Sequence, residues 1–278
     1  KLYGDLTVAC LNEEKFMLFG SGAAQEMHRR WFEFFLPKTG VIYKNKSDDY
    51  HGIAISGPDS RKLLSKICRD DVSNDAFKFR DTKETFVGGV PVILNRISFS
   101  GELGYEIYTR PQFQLKLFEE IESCGKDFNL KLYGTRALMS LRLEKNWGAW
   151  TLDFRPDFSA AESGLDIFIN WNKDFIGKQA SLNEKKIGIK KKLVTMIIDT
   201  DVIDVSNDEA ILKNKKCVGY ITSGGYAHHV KKSMALGYVP LELSKHDTNL
   251  EVEINGKFYL AHVIGKPLYD SNGGKMKS

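Results

Sequence analysis

Glu106 is the carboxylate whose setting in this chain most suggests recognition chemistry. It stands in Arg96-Ile-Ser-Phe-Ser-Gly-Glu-Leu-Gly-Tyr-Glu-Ile-Tyr108. There, β-branched and aromatic residues at 92–99 and 104–109 flank a glycine-bearing loop, the pattern of a β-hairpin. Side chains alternate along a strand, so Glu106 and Tyr108 take one face while Tyr105 and Ile107 take the other. A carboxylate accepts two hydrogen bonds side by side. That suits a flat edge with two N–H donors, such as the aminopyrimidine side of a pterin, or else an arginine fork. The plainer alternative is an exposed strand glutamate, the commoner situation for this residue type. Arg142, near the end of a helical stretch opening at Thr135, poses a similar choice. It is either an anion or amide reader projecting into a cleft or a helix-surface arginine beside the C-terminal carbonyls. Just beyond it Trp147, Trp150, Phe154, Phe158, Phe168 and Trp171 crowd a short span. Such rings fill cores by default but can also present flat faces to a planar ligand.

These residues need elements to hold them. Residues 5–11 and 15–20 read as two strands around an Asn-Glu-Glu turn, followed by a helix from Ala23 to Leu36 that Pro37 and Gly40 close. A strand over His51–Ile55 runs into Ser56-Gly-Pro-Asp-Ser60, which lacks the glycine pattern and lysine of a phosphate loop and reads as a simple helix start. That helix reaches Cys68 and buries Leu63, Leu64 and Ile67. After a strand-rich segment and the Glu106 hairpin, a helix from Pro111 to Cys124 aligns Phe113, Leu117, Phe118, Ile121 and Cys124 on one face. The β-α-β-β-α order predicts a ferredoxin-like layered α/β part. Beyond a lysine-rich linker near 183–192, short strands at 193–198, 217–222, 235–239, 250–254 and 257–263, with an Asn255-Gly256 hairpin turn, predict a C-terminal antiparallel β-barrel or sandwich. The fold class is therefore α+β, with domains at 1–182 and 193–278.

Composition narrows the function classes. The chain has 278 residues, 42% hydrophobic and 27% charged, an ordinary globular balance with room for one large core or several small ones. No apolar run approaches the roughly eighteen residues of a membrane span, so no membrane partner is expected and cytoplasm or an organelle matrix is the expected location. Cys10, Cys68, Cys124 and Cys217 lie far apart without a C-x-x-C pair, against a disulfide framework or a zinc site. Adjacent His228 and His229 lack acidic or cysteine partners at metal spacing, so no metal is expected. Lys185, Lys186, Lys190, Lys191 and Lys192 cluster without aromatic interleaving, which disfavours nucleic acid. No Gly-x-Gly-x-x-Gly dinucleotide loop occurs, and no serine or cysteine has a recognisable activating partner. The chain opens at Lys1 and enters a strand pattern at once, as expected if a neighbouring upstream segment is missing.

Several motifs follow one another in the order of a known family. They are Gly4-Asp5-Leu-Thr-Val8, Gly57-Pro58-Asp-Ser60-Arg61, Ser98-Phe-Ser-Gly-Glu-Leu-Gly-Tyr-Glu106, Ser140-Leu-Arg-Leu-Glu-Lys145, Glu162-Ser-Gly-Leu165, Asp174-Phe-Ile-Gly-Lys178 and Val218-Gly-Tyr-Ile-Thr-Ser-Gly224. Together they resemble the folate-binding aminomethyltransferases, the T-protein of the glycine cleavage system and its relatives. Ser140–Lys145, the Asn-Trp-Gly-Ala-Trp150 that follows and the Gly-Glu-Leu-Gly-Tyr-Glu106 variant are most similar to the C-terminal folate module of dimethylglycine and sarcosine dehydrogenases. The resemblance implies a T-protein-like folate-binding fold, incomplete at its N-terminal side. It also implies transfer of a one-carbon unit from a small N-methyl amine to tetrahydrofolate, forming 5,10-methylenetetrahydrofolate, with FAD confined to an upstream flavin domain.

By the same resemblance, Asp5 is the catalytic aspartate beside the reactive folate nitrogens and Glu106 reads the pterin edge. Phe99, where T-proteins often carry tyrosine, packs against the pterin, and Arg142 and Trp150 line the folate site. Lys275 and Lys277 fall near a basic position suited to the glutamate tail of folate. The alternatives are a free T-protein or related folate-dependent demethylase, acting with a lipoyl carrier protein or a methylated sulfur compound, and a non-enzymatic folate-binding protein of the same fold. The last carries Lys-Gly-Cys-Tyr-x-Gly-Gln where this chain has Lys173-Asp-Phe-Ile-Gly-Lys178.

Overall fold

The computed structural model describes residues 1–200 and 202–278. In chain order the elements are β1 (Thr7–Asn12), β2 (Lys15–Phe19), α1 (Gln25–Phe35), β3 (His51–Ser56), α2 (Ser60–Ile67), β4 (Thr82–Val87), β5 (Val90–Asn95), β6 (Gly104–Thr109), α3 (Gln114–Gly125), α4 (Thr135–Glu144) and α5 (Lys178–Ile187). They continue with β7 (Lys191–Ile198), β8 (Ala210–Lys213), β9 (Lys216–Ala227), β10 (Lys232–Pro240), β11 (Asn249–Ile254), β12 (Lys257–Ile264) and α6 (Gly274–Lys277). The chain forms two compact units. A sheet unit holds Leu6–Leu138 and Asn272–Ser278, and a barrel unit holds Lys1–Asp5 and Met139–Ser271.

In the sheet unit four antiparallel strands lie in the order β3-β6-β5-β4. The β-α-β-β-α reading gains a strand, β4, so that β4, β5 and β6 run as a meander and β3 returns beside β6. Alternation sends Ile55, Val87, Val92, Leu94, Tyr105 and Ile107 to one face, where they form a core with Leu63 and Leu64 of α2 and Leu117 and Ile121 of α3. This is the layered α/β part. Burying such a face is what holds a sheet and short amphipathic helices together. The hairpin register is Ile93↔Tyr108, Leu94↔Ile107 and Asn95↔Glu106. Strand β5 stops at Asn95 and not at Phe99 as the composition suggested. The next residue, Arg96, is fully buried, and its guanidinium donates to the carbonyls of Phe77 (2.6 Å), Lys277 (3.1 Å) and Ser278 (2.7 Å). That commitment goes with residues 96–103 leaving the sheet as a loop.

In the barrel unit six strands close in the order β10-β7-β12-β11-β8-β9, which settles the choice between barrel and sandwich. The core includes Met196, Ile198, Ile211, Ile221, Val252 and Ala261. Asn255 and Gly256 both have positive φ, 50° and 76°, the pairing a two-residue type I′ hairpin turn requires. Two sequence readings are corrected. Strand β8 was not expected, and the lysine-rich stretch read as a linker is divided between the end of α5 (183–187), a short connection and the start of β7 (191–192). Helix α5 buries none of its residues, so it lacks the apolar stripe by which helices are recognised.

Candidate functional site

Glu106 stands on the face of the sheet opposite α2 and α3. Register puts Ala54, Glu106, Asn95 and Thr82 in one row across β3, β6, β5 and β4, and Gly52, Tyr108, Ile93 and Glu84 in the next. Directly paired residues share a face, so Glu106 is flanked by the small Ala54 on one side and the amide of Asn95 on the other. At the next row Gly52 lies under Tyr108. A Cβ there would come within 2.8 Å of the Tyr108 ring, so glycine lets that ring lie down over β3. Tyr108 also contacts Phe19 of β2, with ring centroids 4.1 Å apart, and its hydroxyl donates to Glu106 Oε2 at 2.8 Å.

Glu106 is half-buried. Burial pushes its carboxyl above the ordinary glutamate range, with the Tyr108 hydrogen bond pulling the other way. The Tyr108 hydroxyl is raised by burial and by the neighbouring carboxylate. Among the described residues Tyr108 supplies the hydrogen bond to this carboxylate, and Oε1 receives none. The arrangement suits a partner that brings its own donors. Phe99 lies half-buried in the 96–103 loop of the same unit, between Ser98 and Ser100, whose hydroxyls are 2.7 Å apart.

Asp5, Arg142 and Trp150 belong to the barrel unit. Asp5 is partly buried just before β1, and that burial raises its carboxyl above the ordinary aspartate range. Arg142 matches neither expectation: it is 1% exposed and pairs with the fully buried Asp153 at 2.7 Å while donating to the Trp147 carbonyl at 3.0 Å. Asp153 also accepts from the Ala149 N–H (2.8 Å), Ser223 Oγ (2.6 Å) and Thr222 Oγ1. Arg142 is thus an internal brace, not a side chain projecting into a cleft. Its pairing removes two buried charges from isolation, which burial otherwise penalises heavily. Trp150 is half-buried and bridges to Phe154 in the turn that wraps Asp153.

Sequence reasoning missed Asp153, Asn95 and a second buried carboxylate. Glu144, 1% exposed, accepts the backbone N–H of His229 and faces its Nδ1, both at 2.6 Å. The His229 ring stacks on Tyr269, 4.2 Å between centroids. Among the described residues no cluster of His, Cys, Asp and Glu has metal-binding geometry, and no helix is long and apolar enough to cross a membrane.

Comparison with known proteins agrees with this architecture along the chain. The family model described as the GCVT N-terminal domain matches residues 1–173, and the glycine cleavage T-protein C-terminal barrel domain matches residues 191–270. Human mitochondrial dimethylglycine dehydrogenase is 40% identical over 96% of this chain, which spans 31% of that protein. The aminomethyltransferase of Natranaerobius thermophilus is 30% identical over 95% of this chain and 72% of its own length. The glycine cleavage system aminomethyltransferase T from Bartonella henselae superposes with a TM-score of 0.85 at 22% identity, covering 97% of this chain and 73% of that structure, and thereby shares the fold. Because both family domains match in succession and the barrel lies where the second requires it, the chain belongs to the glycine cleavage T-protein family.

Proposed function

We propose that this chain is the folate-dependent one-carbon transfer module of a dimethylglycine or sarcosine dehydrogenase-like enzyme. It would pass a formaldehyde-level carbon from an oxidised N-methyl amine to tetrahydrofolate, with 5,10-methylenetetrahydrofolate as product. The observation that carries this reading is the under-donated Glu106 carboxylate on a sheet face whose neighbours, Gly52 and Ala54, are small. A reduced pterin fits that donor deficit, because its aminopyrimidine edge presents two parallel N–H groups. Tetrahydrofolate, when bound, supplies the nitrogens that accept the carbon.

Glu106 would bind and orient the ring, with Tyr108 fixing the carboxylate and Phe99 offering an apolar surface. Asp5 would act on the reacting amine. A carboxylate there orients the nitrogen, stabilises positive charge growing on it and takes its proton, interactions that strengthen in the transition state. Burial raises the affinity of Asp5 for a proton above that of an ordinary aspartate, which suits a proton relay. Arg142 would serve indirectly, by bracing the Trp147–Phe154 segment that carries Trp150. Lys275 and Lys277 would meet the anionic glutamate tail. Residues 1–182 would form the folate-binding region and 193–278 the accompanying barrel domain. FAD and the amine oxidation would belong to a separate flavin domain, and the working compartment would be cytoplasm or an organelle matrix.

Titration with a reduced folate, combined with turnover, tests the assignment. Glu106→Gln is expected chiefly to weaken binding, and Asp5→Asn chiefly to slow transfer. Folate binding and turnover indifferent to both changes would refute it. A second reading, a free T-protein acting on an aminomethyl-lipoyl carrier, is favoured by the 72% coverage of the bacterial aminomethyltransferase. Turnover of that carrier, without turnover of N-methylglycines in the presence of a flavin domain, would select it. Folate binding without any transfer would select the non-enzymatic relative.

A further inference from the structure

The side-chain amide of Asn95 is 3% exposed and incompletely bonded. It lies between Thr82 and Glu106 in the cross-strand row, with all three side chains on the face opposite α2 and α3. Thr82 Oγ1 donates to Asn95 Oδ1 at 2.5 Å, and Asn95 Nδ2 meets no acceptor among the described residues. Exchanging the amide nitrogen and oxygen would leave the same buried position unsatisfied, with an acceptor in place of a donor; beside a carboxylate the donor assignment is the favourable one. Native proteins pair nearly all buried polar groups, so an orphan beside a ligand-reading group calls for a reason. The neighbouring Glu106 supplies one. Its Oε2 receives Tyr108, while among the described residues Oε1 receives no donor.

A carboxylate has about four acceptor positions. A two-donor ligand edge takes one on each oxygen, which leaves one on each for the protein. Tyr108 fills that role for Oε2. The unsatisfied amide on the adjacent strand is the matching donor for Oε1.

We propose that Asn95 is a positioning residue for Glu106: oriented by Thr82, its Nδ2–H holds the second carboxylate oxygen when a reduced pterin occupies the other acceptor positions. This rests on the reading of Glu106 given under Proposed function. It adds a Thr82–Asn95–Glu106 chain to the recognition machinery and explains why a buried amide is kept half-satisfied without ligand. The role acts on affinity and not on the transfer step, so it raises the KM for folate with little change in kcat.

The test titrates 5-formyltetrahydrofolate, a stable reduced folate, against the full chain and its Asn95→Ala, Asn95→Asp, Thr82→Val and Glu106→Gln variants and the Asn95→Ala/Glu106→Gln double variant. Thermal unfolding is followed in parallel. Asn95→Ala is expected to weaken binding about tenfold, the net effect of one charge-assisted hydrogen bond. Asn95→Asp, which keeps the shape but loses the donor, should lose at least as much. Thr82→Val should lose about threefold by freeing the amide. The double variant should bind within about twofold of Glu106→Gln alone, because both changes act through one carboxylate.

Wild-type affinity in Asn95→Ala, or losses that multiply in the double variant, would overturn the inference. Should Asn95→Ala not fold, an unchanged affinity in Thr82→Val would overturn it equally. If the wild-type chain binds no reduced folate, or Glu106→Gln binds as well as wild type, the reading of Glu106 falls and this inference with it. A normal Glu106 result with silent Asn95 and Thr82 variants removes the inference alone.

Discussion

Asp153 in the barrel unit and Glu106 in the sheet unit are carboxylates treated in opposite ways. Asp153 is 0% exposed and accepts from four donors, Arg142, Ala149, Thr222 and Ser223, on three separate stretches of chain. Glu106 is half-buried, receives Tyr108, and is pushed toward protonation by its surroundings. A buried charge with every acceptor position met is a structural node, because its partners already compensate the lost hydration. One left short of donors stores a demand that a ligand can meet. The difference teaches that burial and charge alone do not mark a binding group. What marks it is the balance of donors around it. By that measure Arg142, which looked like a ligand-reading arginine in sequence, belongs with the structural node.

The comparison breaks most readily at Asp153. Replacing it with alanine leaves Arg142 buried and unpaired, and should destabilise the chain by about 3–5 kcal/mol in chemical denaturation. A loss below about 1 kcal/mol would return Arg142 to the pool of available ligand groups. Next in size, Asp5→Asn should slow one-carbon transfer by about 10²-fold or more while reduced-folate affinity stays near wild type, as single-turnover kinetics and titration would report. Glu106→Gln should do the reverse of Asp153→Ala: fold normally, yet lose about 1.5–3 kcal/mol of folate binding.

The smallest effect sharpens the contrast through pH. Burial raises the folded-state pKa of Glu106 above its unfolded value of about 4.3, so folding favours the protonated acid. The stability this group contributes is fully present below the unfolded value and is lost as pH rises through the raised folded one. At neutral pH the charged carboxylate is a cost that Glu106→Gln removes. Denaturation midpoints should therefore be equal or slightly higher for the variant at pH 7, and the gap should close on acidification. Folate binding by the wild type should weaken over that same acid range, as the carboxylate loses its charge. A stability gap that widens in acid would contradict the donor-poor setting.

Much of the fold was legible in local pattern. Short apolar runs and turn signals located β1, β2, β3 and five of the six barrel strands, and two-residue alternation set Glu106 and Tyr108 on one face opposite Tyr105 and Ile107. Strand β8 escaped because its adjacent Ile211 and Leu212 are both buried, which erases alternation over so short a run. Helix α5 escaped for the opposite reason, since it buries nothing. At the site, the ring–carboxylate pair on β6 was readable because its members are two residues apart. The Asn95–Glu106 pair was not, because its register spans the 96–103 loop.

The sequence by itself determined most of the strands and helices, the Asn255-Gly256 hairpin turn and, through its ordered motifs, the family. Those features depend on residues near one another in the chain, where periodicity and turn chemistry act directly. Only the tertiary structure decided that Arg142 faces Asp153, that Thr222 and Ser223 reach the same carboxylate from β9, and that Glu106 is left with an unsatisfied amide as its neighbour. Those outcomes depend on strand register and barrel closure. They are fixed by how distant segments bury their apolar faces together, and no local pattern carries that information.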